Sequence, residues 1–505
     1  MKREKEFDGR LLLVTTLLIS ICSIIYELMI SSVSTYLNGD SIKQYSITIG
    51  LYMSAMGIGS YLSKKVKTHL FRNFIFVEIC TGILGGISSL ALFLANIYTE
   101  NYALIMYLFI VAIGILVGLE IPLLTRIIEE NDSNIRVNLA NIFTFDYIGG
   151  LVGSLAFPLL LFPKLGFVST AFLVGCINIG ASFLICHCYH SYIEHSNAIR
   201  NVIIGVFVVL FSLLLFGGKV TTSIEQGLYR DDVIYSKQTM YQKIVMTKHK
   251  DDLRLFLDGN VQFSSKDEYR YHEALVHIPF SYAANHERVL ILGGGDGLAA
   301  REVLKYQDVK DVILVDIDGE MTSLCATEPL ITELNEGSMT DERVTVLNED
   351  GYSYVESNTQ KFDVIIVDFP DPNNESLNKL YTDIFYNYIA ANLNEGGVAV
   401  VQSTSPYYAS NSFWCIHKTI ATQFEHVLPY HVDVPAFGNW GFNLAFQGER
   451  KQQPLNVATK FLNAENMDSA FVFAEDEKRE LDTIKVNRMF EPALVTYYNT
   501  DVENW

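Results

Sequence analysis

Arg288-Val289-Leu290-Ile291-Leu292-Gly293-Gly294-Gly295-Asp296-Gly297-Leu298 sets three patterns end to end. A short apolar run reads as a buried strand, the glycines as a tight turn, and Leu298–Lys305 as a helix that starts at once. Glycines there let the backbone turn and approach a ligand without a Cβ in the way, at the positive end of a helix. The same alternation recurs downstream. Strands are predicted at Arg288–Leu292, Val312–Val315, Val344–Leu347, Val364–Val367 and Val398–Val401, with helices between them. That order implies a doubly wound α/β sheet of Rossmann-like type.

The ends of those strands carry the chemistry. The second strand stops at Asp316, the third leads to Asp350-Gly351, the fourth stops at Asp368 and the fifth at Gln402. In open α/β sheets the ligand lies outside the strand carboxyl ends, so these residues should converge. Asp316, about twenty residues past the glycine turn, has the spacing of an acid that accepts from ribose hydroxyls. Asp350 with Gly351 suits an exocyclic adenine amine, although a solvated turn reads the same way. Asp296 interrupts the glycine turn, where a buried anion would repel a phosphate. A cation is therefore the expected ligand. Asp368 and Asp371, in Asp368-Phe369-Pro370-Asp371-Pro372, add two more carboxylates suited to binding amines.

Working outward to the amino terminus, the composition changes. The chain has 505 residues, half of them hydrophobic, and a mean hydropathy of +0.21. Nearly all of the apolar excess precedes Gly218. Seven stretches there have bilayer-spanning length: Leu11–Ile30, Tyr45–Leu62, Phe74–Tyr98, Tyr102–Leu124, Ile142–Phe162, Phe167–Cys188 and Val202–Gly217. The first follows Lys2, Arg3 and Lys5 but no small-residue cleavage pattern, so it reads as a retained helix. Basic residues (Arg10, then Lys64, Lys65, Lys67 and Arg72, then Arg126 and Arg136, then Arg200) fall on one side, against Lys43 and Lys164 on the other. That bias makes the amino terminus cytoplasmic. An odd number of crossings then conflicts with a cytoplasmic catalytic domain, which is nonetheless the expectation because nucleoside substrates are there. The stretches contain Glu27, Glu78, Glu120 and Asp146, acids that are costly in lipid and belong in a bundle interior or a polar cavity.

Five of seven cysteines lie in the apolar stretches, so no disulfide framework is implied. Cys186-His187-Cys188-Tyr189-His190 holds ligand-type residues, but helix neighbours one or two apart do not share a face. No metal is expected. A net charge of -20 argues against nucleic acid as a partner.

From Tyr241 to about Gln447 the chain resembles the spermidine synthase (polyamine aminopropyltransferase) family, in its membrane-attached branch. The motifs are Tyr241-Gln242, Leu257-Asp258-Gly259 with Gln262, Asp267-Glu268, Tyr271-His272-Glu273, Gly293–Gly297, Asp316-Ile317-Asp318, Asp350-Gly351 and Asp368–Pro372. The resemblance implies a β-rich lid before a methyltransferase-like sheet. It also implies decarboxylated S-adenosylmethionine as co-substrate, with no permanent cofactor, and an acceptor such as putrescine. By the same resemblance Gln242, Asp316, Asp350 and Gly351 hold the nucleoside donor, His272, Asp296 and Asp371 face the amines, and Asp368 takes the proton. Soluble members continue the aspartate motif with Gly-Pro-Ala, whereas this chain reads Asn373-Asn374-Glu375-Ser376.

The expected organisation is a multi-span membrane domain over 1–218, linker and lid over 219–280, the Rossmann-like domain over 281–449 and an extension over 450–505. Expected partners are the polyamine and nucleoside sulfonium substrates, the lipid bilayer of the cell membrane and, as an open option, further copies of the chain. Two other functions fit parts of the pattern: a methyltransferase using ordinary S-adenosylmethionine, and a polyamine transporter or sensor whose soluble domain binds without reacting.

Overall fold

The computed structural model describes residues 9–38, 41–99, 101–131, 135–217, 226–229 and 231–502. The basic cluster Lys2, Arg3 and Lys5 and the expected boundary at 218/219 lie outside them. Two compact units are separated at Val233/Ile234, some fifteen residues later than expected.

The first unit is helical among the described residues: α1 Arg10–Asn38, α2 Ser41–Ser63, α3 Leu70–Tyr98, α4 Tyr102–Asn131, α5 Ile135–Ala156, α6 Phe162–Cys188 and α7 Ser196–Leu215. Each expected apolar stretch falls in one of these helices, except that Ile142–Phe162 runs on through a π turn, Phe157–Leu161, and Val202–Gly217 outlasts α7 by two residues. Five segments are long and apolar enough to cross a membrane, and one of them, Val137–Cys188, spans both α5 and α6. The remaining helix, α2, is not among the five.

Side-chain contacts give the helix directions. Ser32 meets Tyr45 and Ser34 meets Gln44, so α2 returns along α1. Tyr26 lies against Gly85 and Tyr36 against Phe93, so α3 runs with α1. Gly114 packs on Tyr52 and Ala55, and Gly118 on Met56, which sets α4 along α2. A Cβ on Gly118 would lie 2.1 Å from the Met56 carbonyl oxygen, so this crossing needs the glycine. Gly149 and Gly153 follow Leu17 and Ile21, so α5 runs with α1. Gly166, at φ 69°, kinks α6 near its start, and the helix returns with Phe167 beside Tyr36 and Val174 beside Cys22. Ser196 near Cys186 and Gly217 near Ser169 turn α7 back along α6. Seven alternating helices thus put Arg10 and Leu215 at opposite ends of the bundle.

The second unit opens with a four-stranded sheet, β1 Asp232–Gln238, β2 Lys243–His249, β3 Asp252–Leu257 and β4 Asn260–Ser264. Helix α8, Glu268–Tyr282, leads into the main sheet. Its strands are β5 Arg288–Gly293, β6 Asp311–Val315, β7 Val344–Leu347, β8 Phe362–Asp368, β9 Leu393–Gln402, β10 His426–Val434 and β11 Gly438–Phe446. Their order is β10-β11-β9-β8-β5-β6-β7, parallel except that β11 runs antiparallel to both of its neighbours. The five predicted strands are the parallel ones up to β9. Central β5 and β8 are buried along nearly their whole length, as expected of parallel strands covered on both faces. Residues after 449 pack on this unit: Asp501 accepts from the Ser412 amide and hydroxyl, and Asn487 donates to the Tyr381 carbonyl.

Candidate active site

The glycine turn after β5 fits beside Asp368 at the end of β8. Gly293, at φ 83°, packs so that a Cβ would stand 2.1 Å from the Asp368 carbonyl oxygen, and a Cβ on Gly295 would stand 2.5 Å from Asp316 Oδ2. The strand ends therefore converge as predicted, and the turn is glycine-rich because two aspartates crowd it.

Asp368 is 5% exposed. Its Oδ1 accepts from the Tyr271 hydroxyl at 2.5 Å, while Oδ2 has no protein partner. Burial, with the neighbouring Asp296 charge, pushes its pKa up to about 6. Asp296 repeats the pattern: Oδ1 accepts at 2.9 Å from the amide of Leu298, the first residue of the helix Leu298–Val303 (α9), and the buried Oδ2 is unpartnered. Burial raises its pKa too. Two acids, each with one satisfied and one unsatisfied oxygen, leave acceptors that need a donor from elsewhere.

His272, one residue after Tyr271 on α8, bonds through Nδ1 to the Glu268 carbonyl at 2.8 Å and the Glu268 carboxylate at 2.9 Å. Burial works against its charge, but the Glu268 bond and the Asp296 and Asp368 charges outweigh it, so its pKa is raised. Glu268 is held in turn by Arg301, bidentate at 2.9 Å. Arg301 also reaches Glu302, which pairs with His277 at 2.8 Å. This buried ion network locks α8 to α9, and so fixes Tyr271 relative to Asp296.

Asp316 closes the other side of the turn, with Oδ2 accepting from the Gly295 amide at 3.1 Å and Oδ1 from the Asp318 amide at 2.9 Å. Burial lifts its pKa to about 6. Gln242 donates to Asp318 Oδ2 at 3.0 Å, beside the Thr239 hydroxyl at 2.8 Å. Asp318, quoted above only as part of a motif, is thus the buried post that ties the β1–β2 turn to the main sheet. Asp350 caps the helix Gly351–Ser357 through the Tyr352 amide, and its other oxygen pairs with Lys379. A Cβ on Gly351 would strike the Phe369 ring at 2.8 Å. That ring also borders Gly293, so Gly351 and the glycine turn share one wall.

Asp371 differs from the other two acids because both of its oxygens are occupied. Oδ1 accepts from Gln402 Nε2 at 3.2 Å, and Oδ2 from the Tyr498 hydroxyl at 2.9 Å and the Thr404 hydroxyl at 3.4 Å. Gln402 Oε1 accepts from Trp440 Nε1 at 3.1 Å. Thr404 sits at φ 58°, a strained conformation for a β-branched residue. Gln402 was expected at this rim as the end of the fifth strand, whereas Tyr498, Thr404 and Trp440 were not singled out as site residues from sequence. The departure Asn373–Ser376 forms a short turn, with Asn374 capping Glu375–Asn378.

Among the described residues no group of three or more His, Cys, Asp or Glu side chains is arranged for a metal ion. In the Cys186–His190 run, His187 stacks on Phe183 and the Cys186 thiol meets the Ser196 carbonyl.

Comparison with known proteins follows this geometry. Residues 268–456 match the family model of the spermine/spermidine synthase domain. The chain is 40% identical over 498 residues to a polyamine aminopropyltransferase of Leptospira interrogans, covering 97% of this chain and 98% of that protein. It is 41% identical over 495 residues to the polyamine aminopropyltransferase of Oceanobacillus iheyensis, covering 97% and 96%. A crystal structure of a spermidine synthase in complex with the transition-state analogue AdoDATO is 30% identical. It covers 50% of this chain and 89% of that one, with a TM-score of 0.47.

Proposed function

Because the chain belongs to the spermidine synthase family of polyamine aminopropyltransferases, matched over nearly its whole length, we propose that Asp368, Asp296 and Asp371 do the work of its reaction. The chain is an aminopropyltransferase: it moves an aminopropyl group from decarboxylated S-adenosylmethionine to an amine such as putrescine, giving spermidine and methylthioadenosine.

The observation that carries the residue assignment is the pair of buried, unpartnered oxygens on Asp296 and Asp368. An alkylammonium with a solution pKa of about 10 must shed a proton before its nitrogen can attack. Asp368, titrating near 6, is ionised at neutral pH and takes that proton, with Tyr271 holding the other oxygen still. The nitrogen lone pair then forms a bond to the carbon beside sulfur. The carbon–sulfur bond breaks, and sulfur keeps the electron pair as the neutral thioether of methylthioadenosine. Asp296 accepts from the donor's terminal ammonium and repels the carboxylate of undecarboxylated S-adenosylmethionine. His272 shapes this side of the pocket. Asp316, with Asp350, Gly351 and Gln242 around it, binds the nucleoside, Gln242 acting through Asp318. Asp371 binds the amine with one face of a carboxylate already ordered by Tyr498 and Gln402.

Residues 1–218 are proposed as the membrane domain, 219–280 as linker and lid, 281–449 as the catalytic domain and 450–505 as the segment that orders the Asp371 side. The membrane reading rests on the five apolar segments and on outward side chains such as Phe76, Leu104, Leu108, Leu151 and Val209, all more than half exposed, which suit a lipid bilayer. The catalytic unit is placed on the cytoplasmic face, where a nucleoside sulfonium is supplied. Were all seven helices to cross, this would set the Arg10 end outside, against the charge bias.

Incubating the full chain with putrescine and decarboxylated S-adenosylmethionine should yield spermidine by mass spectrometry. Methylated putrescine from S-adenosylmethionine instead would support the methyltransferase reading.

A further inference from the structure

We propose that the interior of the helical unit contains a second amine site, in which Glu78 and Glu120 bind an alkylammonium cation. Glu78 on α3 is fully buried and Glu120 on α4 is 4% exposed, and the two helices pack against each other. Glu78 lies eight residues past Leu70, the start of α3, which is about 12 Å along the axis. Counted from the ends of the apolar stretches, Phe74 and Leu124, each acid lies four residues, or about 6 Å, inside a hydrocarbon layer about 30 Å thick. Two carboxyl groups at this depth are costly unless positive charge or protons lie with them.

The hydrogen-bond ledger says what is missing. Asn178 on α6 spends its amide nitrogen on Glu78, at 2.8 Å to the carbonyl and 3.0 Å to Oε2. Left without partners are Glu78 Oε1, Glu120 Oε1, Asn178 Oδ1 and the hydroxyl of the fully buried Tyr26. Tyr26 lies against Gly85, two turns along α3 from Glu78, and is an electrostatic neighbour of both carboxyls. Three of the four orphan atoms only accept, and Tyr26 can supply one donor. The cluster is therefore short of donors as well as positive charge. A shared proton supplies one donor; a primary ammonium brings three and a full charge. The other two intramembrane acids are not part of the cluster's deficit: Asp146 accepts from Ser20, and Glu27 is only partly buried.

Putrescine as the probe rests on the aminopropyltransferase reading; the donor deficit does not. Full-length protein in lipid nanodiscs, carrying Asp296→Asn and Asp371→Asn to silence the catalytic pocket, should still bind radiolabelled putrescine saturably at about one per chain. Adding Glu120→Gln should weaken that binding at least tenfold, while Glu120→Gln alone should leave spermidine formation unchanged. Loss of turnover in every protein, wild type included, would instead count against the catalytic reading. In case Glu120→Gln does not fold, wild-type protein can be labelled with a hydrophobic carbodiimide and the peptide bearing Glu78 weighed. Putrescine should protect it. No saturable binding in the pocket-silenced protein, binding that survives Glu120→Gln, or labelling indifferent to putrescine would mean that the pair merely shares a proton.

Discussion

Asp368 holds one oxygen on Tyr271 and leaves the other without a protein partner, at a position that costs the folded protein something. A carboxyl whose pKa is raised to about 6 on folding favours the folded state below the unfolded value, and that contribution is lost as pH rises through 6. At neutral pH the buried charge is therefore a liability, on the order of 1–3 kcal/mol for a shift of this size. Asp368→Asn should lower kcat by two to four orders of magnitude, leave donor affinity nearly intact, and raise the thermal midpoint at pH 7 but not at pH 4.5. A variant that lost donor binding as well would show Asp368 to be a nucleoside contact. The wild-type acceptor kcat/KM should rise with pH through about 6 as Asp368 ionises. A profile flat between pH 5 and 7 would remove Asp368 as the base.

Among the elements, the helix Leu494–Val502 is the one whose role changes most between sequence and structure. Its Tyr498 hydroxyl orders Asp371, and Asp501 fastens it to Ser412. Tyr498→Phe frees one side of Asp371 without removing the ring, so the acceptor KM should rise about three- to thirtyfold, as for one hydrogen bond to a charged group, with kcat less affected. An unchanged KM would make the contact purely structural. The parallel strands were legible because each is a β-branched run ending in an acid, amide or glycine, a local signal. Asp296, Asp316 and Asp368 were legible for the same reason. The hairpin β10–β11 and the Gln402–Thr404–Tyr498 cluster were not, since nothing near Tyr498 in sequence announces a partner 127 positions away. Gln242 was found as a motif residue, but its attachment to Asp318 rather than to open pocket depends on tertiary packing. In the helical unit, apolar length revealed the helices, yet Glu78 and Glu120 read as separate acids until α3 and α4 were laid side by side.

For the whole molecule, an odd number of alternating helices sets a choice that hydropathy leaves open. A reporter fused after Trp505 should be active inside the cell if the catalytic unit faces the cytoplasm. Activity only outside would mean that the basic loops dictate orientation and that the donor must cross the membrane. A protein beginning at Ile234, where the second compact unit starts, should retain aminopropyl transfer, because every hydrogen bond to Asp296, Asp368 and Asp371 described above comes from within that unit. A dead truncation would make the helical unit part of catalysis. The claim underlying all of this is that Asp296 admits a donor whose chain ends in an ammonium alone and rejects one that still carries a carboxylate there. The direct measurement is methylthioadenosine release with putrescine present, from decarboxylated and from ordinary S-adenosylmethionine, by wild type and Asp296→Asn side by side. Wild type should release it from the decarboxylated donor alone, and the variant should lose at least tenfold of that preference. Equal use of both donors by wild type, or an undiminished preference in Asp296→Asn, would contradict it.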